Sequence, residues 1–185
     1  GQSELEALEF FKAHNVTHSL IISDEIGKYP AFSSIGADEN WDRYSWINVF
    51  TRDDSQIRET REGTFFVYTG GTPLDWDFEY KGKLYPKGSS GIIGIILPIS
   101  NENNTISFAG QPFAILIYNG KQETIPLECV YFNGKEIEFN EKGIKGCFLM
   151  VPKIDGDKVD ILGNGFYISE KVRKTLFYKL YLTGQ

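Results

Sequence analysis

The chain has 185 residues, 41% of them hydrophobic and 24% charged, which is the composition of an ordinary soluble globular protein with enough length for one substantial core. Its formal net charge of -6 leaves little to neutralise a phosphate backbone, so nucleic acid is excluded as a partner. The longest apolar run, Gly91 to Ile99, is far below the ~20 residues of a membrane helix and is interrupted by glycine and proline, so it reads as a buried strand.

At the start, Ser3-Glu4-Leu5-Glu6 fits a capping box, and Leu5, Leu8 and Phe10 or Phe11 recur at helical spacing; a helix from Glu4 to His14 is predicted. No basic segment with a cleavable apolar core precedes it, and Gly1-Gln2 reads as a cloning remnant or an internal cut. Thr17 to Ile22 reads as a buried strand that ends at Asp24 and Glu25. Pro30 is placed in the first turn of a second helix, which Gly36 closes. Lys28 then stands beside the two carboxylates, with Phe32 one turn further on. Local chemistry allows two readings of this junction: Ser23 or Asp24 as a helix cap beside a solvated Lys28, or a functional charge cluster. The next stretch, residues 36–54, sets Trp41, Tyr44, Trp46 and Phe50 among acidic residues, either as an edge of the core or as a binding surface.

From Thr64 onward, short β-branched and aromatic runs are punctuated by Gly, Asn and Pro: residues 64–68, 78–80, 92–97, 105–108, 113–118 and 130–132. Asn119-Gly120 and Asn133-Gly134 signal tight hairpins, because both central residues of a type I′ turn need positive φ. Lys135 to Phe139 is the return strand of the second hairpin, and Gly146 to Val151 the next. Cys129 and Cys147 are too few for a disulfide scaffold or the usual zinc spacings; two buried free thiols are expected, with pairing open should their strands lie side by side. The chain closes in a helix capped by Ser169, with Val172, Leu176 and Leu180 on its apolar face and Lys171, Arg173, Lys174 and Lys179 on a solvated one. The fold class is therefore α+β: an N-terminal helix-strand-helix unit and a C-terminal helix packed with a β-rich antiparallel middle, barrel- or sandwich-like. Residues 1–62 with 165–185 form the mixed region, and 63–164 the β-rich one.

Chemistry-bearing motifs are scarce. No nucleophile elbow, phosphate-cradling glycine loop or zinc helix is present, and His14 and His18 straddle the helix-to-strand break. Asp75, Asp77 and Glu79 offer carboxylate pairs, but nothing in the sequence singles them out. Asp155-Gly156-Asp157 reads as a turn rather than a calcium loop. Asn15-Val16-Thr17 and Asn103-Asn104-Thr105 are glycosylation sequons by pattern, the first expected to be poorly accessible and the second in a polar turn.

Two stretches together carry a family resemblance. Glu4-Leu5-Glu6-Ala7-Leu8-Glu9-Phe10-Phe11, followed by Asn15 to Ile22, leads into Glu25-Ile26-Gly27-Lys28-Tyr29-Pro30-Ala31-Phe32. At the other end, Val172 to Leu182 contains Thr175-Leu176-Phe177 and Lys179-Leu180-Tyr181. These ends, about a third of the chain, resemble the C-terminal globular domain of the catalytic subunit of archaeal oligosaccharyltransferase, the AglB/STT3/PglB family. The first resembles that family's Asp-X-X-Lys-X-X-X-Met/Ile motif, with Glu in place of Asp and Phe in place of Met or Ile. Alternatively Asp24 is the motif acid, with one residue inserted before Lys28. The family's Trp-Trp-Asp-Tyr-Gly motif is absent; Asn40-Trp41-Asp42-Arg43-Tyr44 shares residue types but lies downstream.

The resemblance implies a soluble domain on the external face of the cell membrane, part of a multi-pass glycosyltransferase that transfers a lipid-linked oligosaccharide to Asn in Asn-X-Ser/Thr. It implies that Asp24, Glu25, Lys28 and Phe32 help to hold the Ser or Thr at position +2 of the acceptor polypeptide. The isolated domain is expected to be inactive, with no catalytic residue and no metal ligand of its own. A divalent metal, Mn or Mg, and the lipid-linked donor are expected in a membrane domain outside this chain. The residues alone leave another class open: an extracellular carbohydrate-binding β module, without catalysis, using Trp41, Trp46, Trp76, Tyr80 and Tyr85 as stacking platforms.

Overall fold

A computed structural model of the chain describes residues 3–21, 28, 47–102, 105–132, 134–150, 153–155, 158–160 and 163–183. After α1 (Glu4–Ala13) come β1 (Ile47–Arg52), the short β2 (Arg58–Glu59), β3 (Thr64–Pro73), β4 (Phe78–Tyr80), β5 (Lys83–Tyr85) and the long β6 (Ser90–Glu102). Next are β7 (Thr105–Phe108), β8 (Phe113–Tyr118), β9 (Lys121–Phe132), β10 (Lys135–Glu138) and β11 (Ile144–Met150). A small hairpin of β12 (Lys153–Asp155) and β13 (Lys158–Asp160) precedes β14 (Gly165–Ser169). The last elements are α2 (Glu170–Arg173), α3 (Leu176–Tyr178) and a wide turn of π geometry (Lys179–Thr183).

The architecture is α+β and barrel-like, as the sequence led us to expect. Seven strands form the ring β3-β1-β14-β11-β9-β8-β6, closed by the antiparallel β3–β6 ladder from Thr64 opposite Ile99 to Pro73 opposite Gly91. Closure satisfies the backbone groups that an open sheet leaves at its edges. The hairpin signals are used as read: Asn119 and Gly120 take φ 50° and 71° between β8 and β9, and Gly134 takes φ 75° between β9 and β10. Lys81-Gly82, with φ 49° and 76°, turns β4 into β5 in the same way without an Asn to announce it.

Apolar residues occupy two layers. One contains Phe50, Tyr68, Phe148 and Tyr167, whose rings meet edge to face, Tyr68 and Phe148 at 5.0 Å between centroids. The other contains Cys129, Tyr131, Cys147, Leu149 and Ile168, covered by Val172 and Tyr178 of α2 and α3. β9 and β11 therefore alternate between two buried faces, which is why Cys147 to Met150 is a continuous apolar run. A Cβ on Gly165 would overlap the Phe148 ring, so only glycine admits that ring at this point.

Five expectations need correction. The β-rich middle is not wholly antiparallel: β10 folds back on β9, and the chain then crosses to the other edge of β9, where β11 runs parallel to it. That crossing sets Cys147 opposite Cys129 at a Cα separation of 4.5 Å, within disulfide reach, and the two are bonded rather than free. The C-terminal helix is broken at Thr175, an extended residue whose hydroxyl accepts from Tyr178 N and donates to Val172 O at 2.7 Å. Finally, Val16 to Leu20 is exposed and not a buried strand; β1, the next strand in the described chain, is paired with β3 on one edge and β14 on the other. Asn15, expected to be shielded, is exposed as well.

Candidate functional site

Of the four acceptor-binding residues expected from the sequence, Asp24, Glu25 and Phe32 lie outside the described residues. Lys28 has helical backbone and is exposed. Of the five proposed stacking aromatics, Trp41 and Trp46 also lie outside. Tyr85 is no platform: it is 1% exposed, and its hydroxyl hydrogen-bonds the Glu123 carboxylate. Strand alternation explains this, since Phe78 and Tyr85 are cross-strand partners facing the core. Trp76 and Tyr80 remain half-exposed.

Trp76 and Tyr80 line a cleft of about 690 Å³. Its first wall is the connection from β3 into the β4–β5 hairpin. Leu74 N donates to Ser90 O at 2.8 Å, Gly88 N donates to Leu74 O at 2.9 Å, and Lys87 N donates to the Asp77 carboxylate at 2.8 Å, so both ends of the connection are held. Phe78 packs beneath, edge to face with Trp76 at 6.5 Å and stacked on Tyr80 at 6.1 Å. The second wall is Glu128 of β9, Lys142 and Lys145 before and on β11, and Glu170 at the start of α2. Glu128 accepts a hydrogen bond from Gly143 N at 2.9 Å and lies 3.6 Å from Lys142 Nζ.

A buried carboxylate with a partly exposed lysine partner stands beside the two walls. The Asp75 carboxylate, adjacent in sequence to Trp76, is 4% exposed and lies 4.0 Å from Lys171 Nζ, adjacent to Glu170. Tyr167, fully enclosed nearby, has its hydroxyl pushed well above its ordinary range by burial, then by the negative charges of Asp75 and Glu170. It donates to Lys145 O at 3.2 Å, so the phenol fixes the second wall as a neutral group.

The C-terminal lysines and arginine are not simply solvated. Arg173 pairs with Glu136 and lies 3.6 Å from Glu138, Lys174 lies 3.1 Å from Glu170, and Lys179 pairs with Glu4 of α1. Tyr178 donates to the other oxygen of Glu136 at 2.8 Å, and burial raises its pKa above the ordinary tyrosine value. No family model, curated protein or solved structure matches this chain.

Among the described residues, no group of three or more His, Cys, Asp or Glu converges on a metal-sized site, and no helix is long and apolar enough to cross a membrane. The cleft residues that sequence reasoning missed, Glu128, Lys142, Lys145 and Glu170, share no motif; they meet Trp76 only through strand order. Asp77 and Glu79 were visible as acids, but their position on the cleft was not.

Proposed function

We propose that this chain is the acceptor-side domain of a membrane oligosaccharyltransferase that N-glycosylates Asn-X-Ser/Thr sequons. One contact carries the reading furthest. The two stretches that resemble the family lie at opposite ends of the sequence, and a partly exposed Lys179–Glu4 ion pair brings them into contact. Lys179 opens the Lys-Leu-Tyr triplet, and Glu4 opens the helix that leads toward the Asp24–Phe32 segment. Within the terminal segment, Thr175 and Leu176 are buried and make the cap and the packing on which the triplet is mounted. The Cys129–Cys147 bond supports an oxidising compartment, as the external membrane face is.

In this role Phe32 supplies an apolar wall for the threonine methyl at position +2, and Lys28 orients a carboxylate, Asp24 or Glu25, that receives the hydroxyl hydrogen bond. The polar partner dominates the discrimination, since an unpaired buried polar group costs roughly 1–3 kcal/mol and one methyl contact is worth less. A divalent ion would be held by the membrane domain outside this chain. Lys28→Ala and Phe32→Ala in the full-length enzyme are expected to reduce transfer to sequon peptides, measured as kcat/KM. Unchanged kinetics in both variants would remove the site assignment.

A further inference from the structure

The cleft between the β4–β5 hairpin and α2 belongs to neither end of the chain that resembles the family, and its composition is selective. Trp76 and Tyr80 present partly exposed rings on Phe78, which is itself buried in the core, and Lys81 Nζ lies 5.0 Å from the centre of the Tyr80 ring, where a sugar would have to displace it. Around them Asp77, Glu79, Glu128 and Glu170 supply acceptors, and Lys142 and Lys145 supply donors. The volume of about 690 Å³ falls in the range of small-molecule sites. The Asp75 carboxylate, next to Trp76 in sequence, lies 4.0 Å from Lys171 Nζ, next to Glu170, so opposite charges face each other between the two walls.

We propose that this cleft binds a neutral oligosaccharide, with Trp76 and Tyr80 stacking on the apolar faces of its sugar rings. Aromatic side chains contribute large contact area at little conformational cost, and a pyranose offers one flat C–H face to such a ring. Sugar hydroxyls both donate and accept, which matches a rim of carboxylates interleaved with ammonium groups. The lining itself carries four carboxylates against two ammoniums, and although Lys174 pairs with Glu170 from outside it, this composition offers no cationic cluster for a phosphorylated or uronic ligand, so the sugar is neutral. A basic peptide would satisfy the acids and could set a cation over the rings, but it would meet Lys142 and Lys145 on the second wall, and it is the competing ligand in the test. The inference stands apart from the acceptor-side reading: it concerns other residues and is tested on this chain alone.

The test is tryptophan fluorescence of the 185-residue chain carrying Trp41→Phe and Trp46→Phe, so that Trp76 is the sole reporter. Neutral gluco-, manno- and N-acetylglucosamine oligomers would be titrated to about 10 mM, the range of weak single-site affinities. One series is expected to shift Trp76 emission saturably. Tyr80→Ala, at the end of β4 beside the Lys81-Gly82 turn, should weaken that binding about tenfold while the chain still unfolds in one cooperative transition. Trp76→Ala, followed by calorimetry in the otherwise native chain, should do at least as much. A uronic oligomer of the same length should bind at least about tenfold more weakly than its neutral counterpart. The proposal is overturned if no neutral oligomer moves the emission. It is equally overturned if binding survives both aromatic substitutions, or if a lysine-rich peptide binds the cleft more tightly than every sugar.

Discussion

The barrel and the N-terminal segment use similar residues to opposite effect. In the barrel, Phe50, Leu97, Leu116 and Phe148 are fully buried. In residues 3–20, Leu5, Leu8, Phe10, Val16 and Leu20 are exposed, Leu20 at 84%. Yet α1 is locally well formed, with Ser3 Oγ accepting from Glu6 N at 3.2 Å and His14 stacked on Phe10 at 4.1 Å. Caps and periodicity decide that a segment is helical; a partner surface decides whether its apolar face is buried. The barrel makes its own partner by closing, and α1 has no buried residue.

This contrast can be broken most severely in the barrel. Phe148→Ala removes the ring against which Phe50, Tyr68 and Gly165 are fitted, and should cost about 3–5 kcal/mol in urea unfolding. An undiminished midpoint would mean that the inner layer is not the stabilising one. Next, replacing Cys129 and Cys147 together by Ala removes a bond that spans 18 residues of sequence between parallel strands, with an expected loss of roughly 2–4 kcal/mol. The same loss should follow reduction of the native chain, read as a shift in its thermal midpoint. At the small end, Leu5→Ser or Phe10→Ser on the exposed face of α1 should change unfolding free energy by no more than ~0.5 kcal/mol. A loss near that of Phe148→Ala would show α1 to be covered in solution.

Much of the fold was legible because its determinants are local. Alternation in Phe113 to Tyr118 and the Asn119-Gly120 turn together specify the β8–β9 hairpin, and the structure uses both. Non-local features were not legible. Nothing near Cys147 says that β11 will run parallel to β9, because that depends on β10 having taken the other edge. The break at Thr175 was hidden because Val172, Leu176 and Leu180 keep helical spacing across it, while the buried hydroxyl chose to cap a new turn instead. Of the cleft, Trp76 and Tyr80 could be named as stacking residues, whereas Glu128 and Glu170 reach them only through the order of strands. Tyr85 shows the converse, since one residue's position on an alternating strand turned an expected platform into core.

The pairing of β1 with β14 has a consequence for how the protein is made. Ile47 sits opposite Ile168, so the ring stays open until residue 168 has left the ribosome. At ~5–20 residues per second, the β1 edge waits on the order of ten seconds for its last neighbour. During that interval the nascent chain carries unpaired strands built from some of its most apolar sequence. Synthesis directly into a confined or chaperoned setting would shield them, and a stall between β11 and β14 should be the point at which aggregation begins.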